Sequence, residues 1–246
     1  MHEASCMLTL TYDDINLPKH GQLVKRDLQL FFKRLRRGNS PFRYVACGEY
    51  GDRSRRPHFH VCLFGIDFVS DRVPVGKSKS GDTRYTSPSL EKVWGLGMVD
   101  IGALNFESAA FVARYVMKKF KGPGASPAPL AIDSVTGEVI LPNSEFLLAS
   151  KGHGKGRGIG GTWFRDFFMS DVYPHASVVT SQGSKAPVPR YYKSLLKEVG
   201  TDLAFDMSAR TLTKVYETAS LPELSPERRS TRETVTMSRL SLSKRL

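Results

Sequence analysis

The chain has 246 residues, 40% of them hydrophobic, which suits one sizeable packed domain with or without an extension and excludes a wholly disordered protein. A formal net charge of +12 and a pI near 9.7 favour a polyanionic partner, nucleic acid first among them. No apolar run approaches the ~18 residues that span a bilayer, and the N-terminus lacks the basic and apolar regions of a signal peptide. Cys6, Cys47 and Cys62 are too few and too scattered for a disulfide framework, so a reducing cytoplasm is expected.

Residues 6–12, CMLTLTY, are rich in β-formers and closed by Asp13-Asp14, which predicts a strand. From 23 to 37, Leu23, Val24, Leu28, Phe31, Phe32 and Leu35 recur at helical spacing up to Gly38. Lys33, Arg34, Arg36 and Arg37 make the end of that helix basic. Two strands follow over 42–50 and 57–64, joined by the polar turn 51–56. Residues 70–86 read as a polar loop. Ser87-Pro88 is a cap and first-turn pair for a short helix through Trp94, and 98–101 reads as another strand. A helix is expected over 106–120, stopped by Gly122-Pro123-Gly124, then loop over 121–145 and a basic glycine-rich loop over 151–161. One or two helices are expected within 187–217, and the Ser/Thr/Arg-rich tail from Pro222 is expected to be largely disordered. The order β-α-β-β-α-β-α predicts an α+β fold, a mainly antiparallel central sheet with flanking helices. The expected division is a main domain over 1–165, a helical extension packed on it over 166–221, and a basic tail over 222–246.

The most informative stretch is RYVACGEYGDRSRRPHFHVCLFG, residues 43–65. His58 and His60 are two apart on one strand and so share a face, while Phe59 and Val61 point into apolar packing. A symmetric hairpin turning near 53 and 54 sets Glu49 opposite His58, with Cβ atoms about 4.5–5.5 Å apart. Two imidazoles and a carboxylate then converge, leaving positions open for substrate oxygen and water. Such a mixed set suits Mn²⁺ or Mg²⁺, with Zn²⁺ as an alternative. Two surface histidines on an edge strand, or a thiolate site using Cys47 and Cys62 on the same face, are the competing readings.

In the helix around FVARYVMKKF, Ala109, Val112, Ala113, Val116, Met117 and Phe120 form one apolar stripe. Tyr115, Lys118 and Phe111 lie on the opposite side, flanked by Arg114 and Lys119, so packing does not explain Tyr115. Tyr115 and Lys118 are i, i+3 neighbours able to act on one phosphate. A phenol of ordinary pKa near 10 needs an ammonium and a metal-polarised phosphate to attack at neutral pH.

A Thr-Leu-Thr-Tyr strand, a Glu…His-hydrophobic-His hairpin and a later Tyr-x-x-Lys helix, in that order, resemble the HUH endonucleases, whose core is RRM-like. LTLTYDD (8–14), FFKRLRR (31–37), residues 43–65, SAAFVARYVMKK (108–119) and, more loosely, 145–164 resemble most the replication initiators of microviruses, the gokushovirus branch especially. The resemblance implies an HUH endonuclease domain over 1–165 and rolling-circle replication initiated by a nick at a viral origin. It implies Glu49, His58 and His60 as metal ligands, and Tyr115 as the nucleophile that leaves a 5′-phosphotyrosine and a free 3′-hydroxyl. Lys118, or alternatively Lys119, would offset charge on the attacked phosphate. Single-stranded and origin DNA, a host helicase and a host polymerase would be the partners, in the cytoplasm of a bacterial host. Two features depart from that pattern. Phe111 stands where a second tyrosine is often found, and the chain begins close to its first motif, as a shortened form or a form with its start upstream would.

An HUH transposase or plasmid replication nickase is the rival within the enzymes. A non-catalytic single-stranded nucleic-acid-binding module is the rival outside them; it would need exposed aromatics on its strands. KGHGKGRGIGG lacks the Gly-x-x-x-x-Gly-Lys-Ser/Thr pattern of a nucleotide loop and reads better as a basic loop touching DNA phosphates.

Overall fold

The computed structural model describes residues 2–38, 41–51, 54–78, 81–110, 112–113, 130–133, 135–151, 158–180, 183–218 and 225–242. Contacts divide the chain into two units, Met1–Ser150 and Lys151–Leu246.

In the first unit the alternating sequence of residues 5–11 becomes strand β1, Ser5–Thr11, with every second residue buried. Cys6, Leu8 and Leu10 are at most 1% exposed, and Met7, Thr9 and Thr11 take the other face. Helix α1, Lys25–Leu35, buries Leu28, Phe31, Phe32 and Leu35. Strands β2, Arg43–Tyr50, and β3, Pro57–Phe64, form the expected hairpin. Then come β4, Val73–Lys77, and β5, Thr83–Thr86. They are followed by helix α2, Pro88–Trp94, and β6, Val99–Ala103. Ser87 caps α2 as expected, its hydroxyl accepting from the Leu90 N–H at 3.2 Å. Residues 106–110 and 112–113 are helical. Strands β7, Ala131–Ile132, and β8, Val139–Ile140, pair as a small hairpin, and β9 is Phe146–Ala149.

Seven strands form one antiparallel sheet in the order β4-β5-β6-β1-β3-β2-β9, which makes this an α+β fold. One face carries the main core: Leu8, Leu10, Phe59, Val61 and Leu63 pack against Phe31, Phe32, Leu35, Leu90 and Trp94 from α1 and α2. On the other face Cys47 and Cys62 pack against Val112 of the helical segment.

Residues 70–86 correct the expectation of a loop, since they hold β4 and β5. All of β4 is exposed, Val73 and Val75 included. An edge hairpin with no buried face joins the sheet through backbone hydrogen bonds alone, so it leaves no apolar alternation to read. The opposite edge, β9, was likewise not foreseen, and 130–145 holds β7 and β8 where loop is expected.

The end of β1 is locked by close backbone approach. Trp94 Nε1 donates to the Thr11 carbonyl at 3.0 Å, and the Asp13 N–H donates to the Leu96 carbonyl at 3.0 Å. Gly97 sits there at φ 145, where a Cβ would fall 2.3 Å from the Asp13 nitrogen and 2.4 Å from the Thr11 oxygen.

In the second unit, helices α3, Gly161–Asp171, α4, Arg190–Val199, and α5, Thr201–Thr218, enclose a core of Phe164, Phe168, Val172, Leu195, Leu196 and Met207. Strands β10, Val178–Val179, and β11, Lys185–Ala186, pair beside them. Helix α6, Pro226–Leu242, lies in the stretch that composition reads as disordered, and residues 226–239 are exposed. Ser225 supplies its start, the hydroxyl accepting from the Arg228 N–H at 3.2 Å. No described helix is long and apolar enough to cross a membrane.

Candidate metal centre

The hairpin register sets Glu49 opposite His58 and Cys47 opposite His60, as symmetric pairing about the turn requires. Phe59 and Val61 are fully buried on the core face. Strict alternation therefore puts His58 and His60 on the other face with Glu49, which is 3% exposed. His58 Nε2 lies 2.8 Å and His60 Nε2 3.2 Å from the same oxygen, Glu49 Oε1. One ligating atom from each of the three residues lies within 4.8 Å of the others.

The far side of each ring is also held. His58 Nδ1 is 3.1 Å from the Arg56 carbonyl oxygen, which can only accept, so Nδ1 carries the hydrogen. In neutral His58 the Nε2 lone pair then faces a carboxylate oxygen at 2.8 Å. That approach is repulsive without a positive charge between or on the two groups. His60 Nδ1 lies 3.1 Å from Thr9 Oγ1. Arg56 is itself anchored: Nε and one terminal nitrogen donate to the Tyr12 carbonyl at 3.2 and 2.8 Å, and the other pairs with Asp14 at 2.7 Å.

Burial pushes the Glu49 carboxyl up, but the hydrogen bonds from His58 and His60 outweigh it and hold the group below the usual carboxylate range. Its second oxygen, Oε2, is buried without a hydrogen-bond partner. An orphaned carboxylate oxygen beside two imidazole nitrogens fits a divalent cation, which would satisfy both. The alternative of two free surface histidines does not describe this site, because all three side chains are largely buried and linked to one another. The thiolate alternative fails on charge. Burial, reinforced by Glu49, pushes Cys47 up to about 12, and burial pushes Cys62 up to about 11, so both are neutral thiols.

Of the apolar stripe around FVARYVMKKF, Val112 is 1% exposed and packs against Cys47 and Cys62, Ala109 is half-buried and Ala113 is exposed. Tyr115, Lys118, Lys119 and Phe111 lie outside the described residues, as does the glycine-rich loop from 152 to 157. Part of the basic cluster at 33–37 is engaged within the fold. Arg34 donates to the Val93 and Trp94 carbonyls at 2.7 and 2.8 Å, and Arg36 lies over the Phe42 and Tyr44 rings. Thr9 and the Arg56 carbonyl were not anticipated. Thr9 reaches His60 because β1 is the other neighbour of β3, a long-range pairing that no local pattern encodes.

An antiparallel α+β sheet that presents a Glu-His-His cluster on one face defines a class of metal-site protein. Comparison with known proteins narrows it. A family of replication-associated proteins of the ORF2 type matches residues 5–120. The chain is 31% identical over 230 residues to the replication-associated protein VP4 of Bdellovibrio phage phiMH2K, covering 90% of this chain and 67% of that protein. It is 33% identical over 202 residues to the replication-associated protein ORF2 of Spiroplasma virus 4, covering 75% of this chain and 55% of that protein. With the replication-associated protein ORF4 of Chlamydia phage 1 it shares 29% identity over 218 residues, 83% of this chain and 49% of that protein. The chain thus spans between about half and two thirds of these relatives. No solved structure matches it. The chain belongs to the phage replication-associated proteins, as its resemblance to microvirus replication initiators implies.

Proposed function

We propose that the protein initiates rolling-circle replication by nicking single-stranded or origin DNA through a covalent tyrosine-phosphate intermediate, with its chemistry in the unit Met1–Ser150 and the segment that follows Val112. The observation that carries the reading is the buried Glu49–His58–His60 cluster, with its unpartnered Glu49 oxygen, in a chain of the phage replication-associated family. A divalent ion, Mg²⁺ or Mn²⁺, held by Glu49, His58 and His60 would polarise a non-bridging oxygen of the scissile phosphate.

The nucleophile in this reading is the Tyr115 phenol. Its oxygen bonds to phosphorus, the bond from phosphorus to the 3′ oxygen breaks, and the phenol proton is passed on as the 3′-hydroxyl forms. A 5′-phosphotyrosine and a free 3′ end for a host polymerase result. Lys118, with Lys119 as the alternative, offsets charge on the phosphate. Support comes from Val112, which packs on Cys47, the register partner of His60. Three residues of chain span at most about 11 Å, so covalent geometry keeps Tyr115 within reach of this face. The net charge of +12 supports a DNA partner. A host helicase would supply unwinding, and the bacterial cytoplasm would be the place of action.

The test is incubation with circular single-stranded DNA of the phage type and Mn²⁺, followed by mapping of the DNA 5′ end and of the linked peptide. A DNA–Tyr115 peptide is the expected product. An absence of any covalent adduct under metal-replete conditions would overturn the reading.

A further inference from the structure

The site leaves one part of the LTLTYDD strand without a stated role. Leu8 and Leu10 fill the core, Tyr12 is fully buried, and its hydroxyl donates to Asp27 at 2.8 Å. Thr11 Oγ1 reaches only the Met98 carbonyl, at 3.4 Å. Thr9 stands directly opposite His60 in the β1–β3 register, with Oγ1 3.1 Å from Nδ1. Its side chain is on the site face and is only partly buried, so the core does not demand it. Valine has the same branching and fills a strand position equally well, so the hydroxyl is the one chemical feature that distinguishes threonine here.

We infer that Thr9 is a positioning residue for the metal centre: its hydroxyl accepts the Nδ1–H of His60 and so presents the Nε2 lone pair to the ion. The two histidines are then oriented by different means. His58 is fixed by a backbone carbonyl, that of Arg56, which no side-chain substitution removes. His60 is fixed by a side chain, and its orientation rests on one replaceable hydroxyl. A ligand held by such an outer hydrogen bond typically loses about 10–100-fold in metal affinity when the partner is removed. Thr9 touches no reacting atom, so its effect runs through His60 alone.

This inference rests on the metal reading of Glu49, His58 and His60, and the experiment separates the two. Mn²⁺ affinity of the full chain is measured by calorimetry for the wild type, Thr9→Val and Thr9→Ser, together with the metal-free melting temperature of each. The expected result is about 10–100-fold weaker Mn²⁺ binding for Thr9→Val and near-wild-type binding for Thr9→Ser, with little change in metal-free melting. Equal binding by Thr9→Val and wild type would overturn the inference and leave the site reading intact. Loss in Thr9→Ser as large as in Thr9→Val would overturn it too, by assigning the effect to packing. A wild-type chain that binds no Mn²⁺ would remove the site reading and this inference with it. Should Thr9→Val fail to fold, the ring nitrogens of ¹⁵N-labelled wild type loaded with Zn²⁺ decide the matter. A hydrogen on His60 Nδ1 is required, and its absence overturns the inference.

Discussion

Glu49 and His58 are register partners across the β2–β3 hairpin, and the pairing brings Oε1 within 2.8 Å of Nε2. The same oxygen reaches His60, so one carboxylate ties both imidazoles together at the edge of an apolar sheet face. The arrangement predicts that His58→Ala or His60→Ala reduces DNA cleavage to background while retaining most single-stranded DNA binding. It also predicts a thermal signature independent of activity. Free Mn²⁺ at 100 times its dissociation constant should stabilise the wild type by about 2.7 kcal/mol. EDTA should reverse that gain, and both variants should lack it. Calorimetry with and without Mn²⁺ checks this, and a full Mn²⁺ shift in either variant would count against the assignment.

Cys47 and Cys62 are buried beside the cluster as neutral thiols. A thiol raised from about 9 to about 11 or 12 on folding favours the folded state below pH 9. That contribution is lost as pH rises from 9 towards those values. Iodoacetamide at pH 8 should therefore leave both unmodified in the folded protein and modify both in denaturant. Cys62→Ala should keep Mn²⁺ affinity within about threefold, since 1.4 kcal/mol would be needed for tenfold. Peptide mass mapping reads the first outcome and Mn²⁺ titration the second.

Gly97 is the tightest backbone position among the described glycines, with a Cβ site 2.3 Å from the Asp13 nitrogen. The atoms in the way are backbone, so nothing flexible can yield. Gly97→Ala is expected to cost more than about 3 kcal/mol, from the positive φ and the clash together. Gly76→Ala, also at positive φ but with nothing within 4 Å of the Cβ site, should cost less. Urea unfolding of the two variants gives the comparison, and equal losses would show that conformation alone decides.

How much of this was legible in the sequence follows from the range of the interactions. The His58–Glu49 pairing was readable because both residues lie within one hairpin, where the turn position fixes the register. The core strands β1, β2 and β3 announced themselves by alternation or apolar runs. Strands β4 and β9 did not, since Val73 is exposed at one edge and Leu147 is 44% exposed at the other. Helix α3 could have been found from Phe164, Phe168 and Val172, which recur every four residues and are buried. Thr9 was out of reach because β3 separates β1 from β2 in the sheet, and that strand order is set by tertiary packing. Half of the basic run at 33–37 proved to serve the fold: Arg34 caps carbonyls and Arg36 covers rings, roles that charge counting cannot separate from DNA contact.

Tyr115→Phe is the decisive substitution for the covalent step. In sequence Tyr115 stands opposite the apolar stripe that Val112 anchors, so loss of the hydroxyl should change stability by under about 0.5 kcal/mol. The phenol oxygen is nonetheless the atom that must bond to phosphorus, and no neighbouring side chain can replace it. Phe111, four residues earlier, has no hydroxyl. The variant is therefore expected to bind Mn²⁺ and single-stranded DNA as the wild type does and to form no covalent adduct. Phe111→Tyr in the wild-type background adds a second phenol at helical spacing from the first, and some adduct should then map to position 111. Denaturing gel electrophoresis of an origin-containing oligonucleotide, with mass mapping of the linked peptide, reads all of these. An adduct of undiminished yield in Tyr115→Phe, mapped to Tyr12, Tyr50 or any other tyrosine, would transfer the nucleophile's role to that residue.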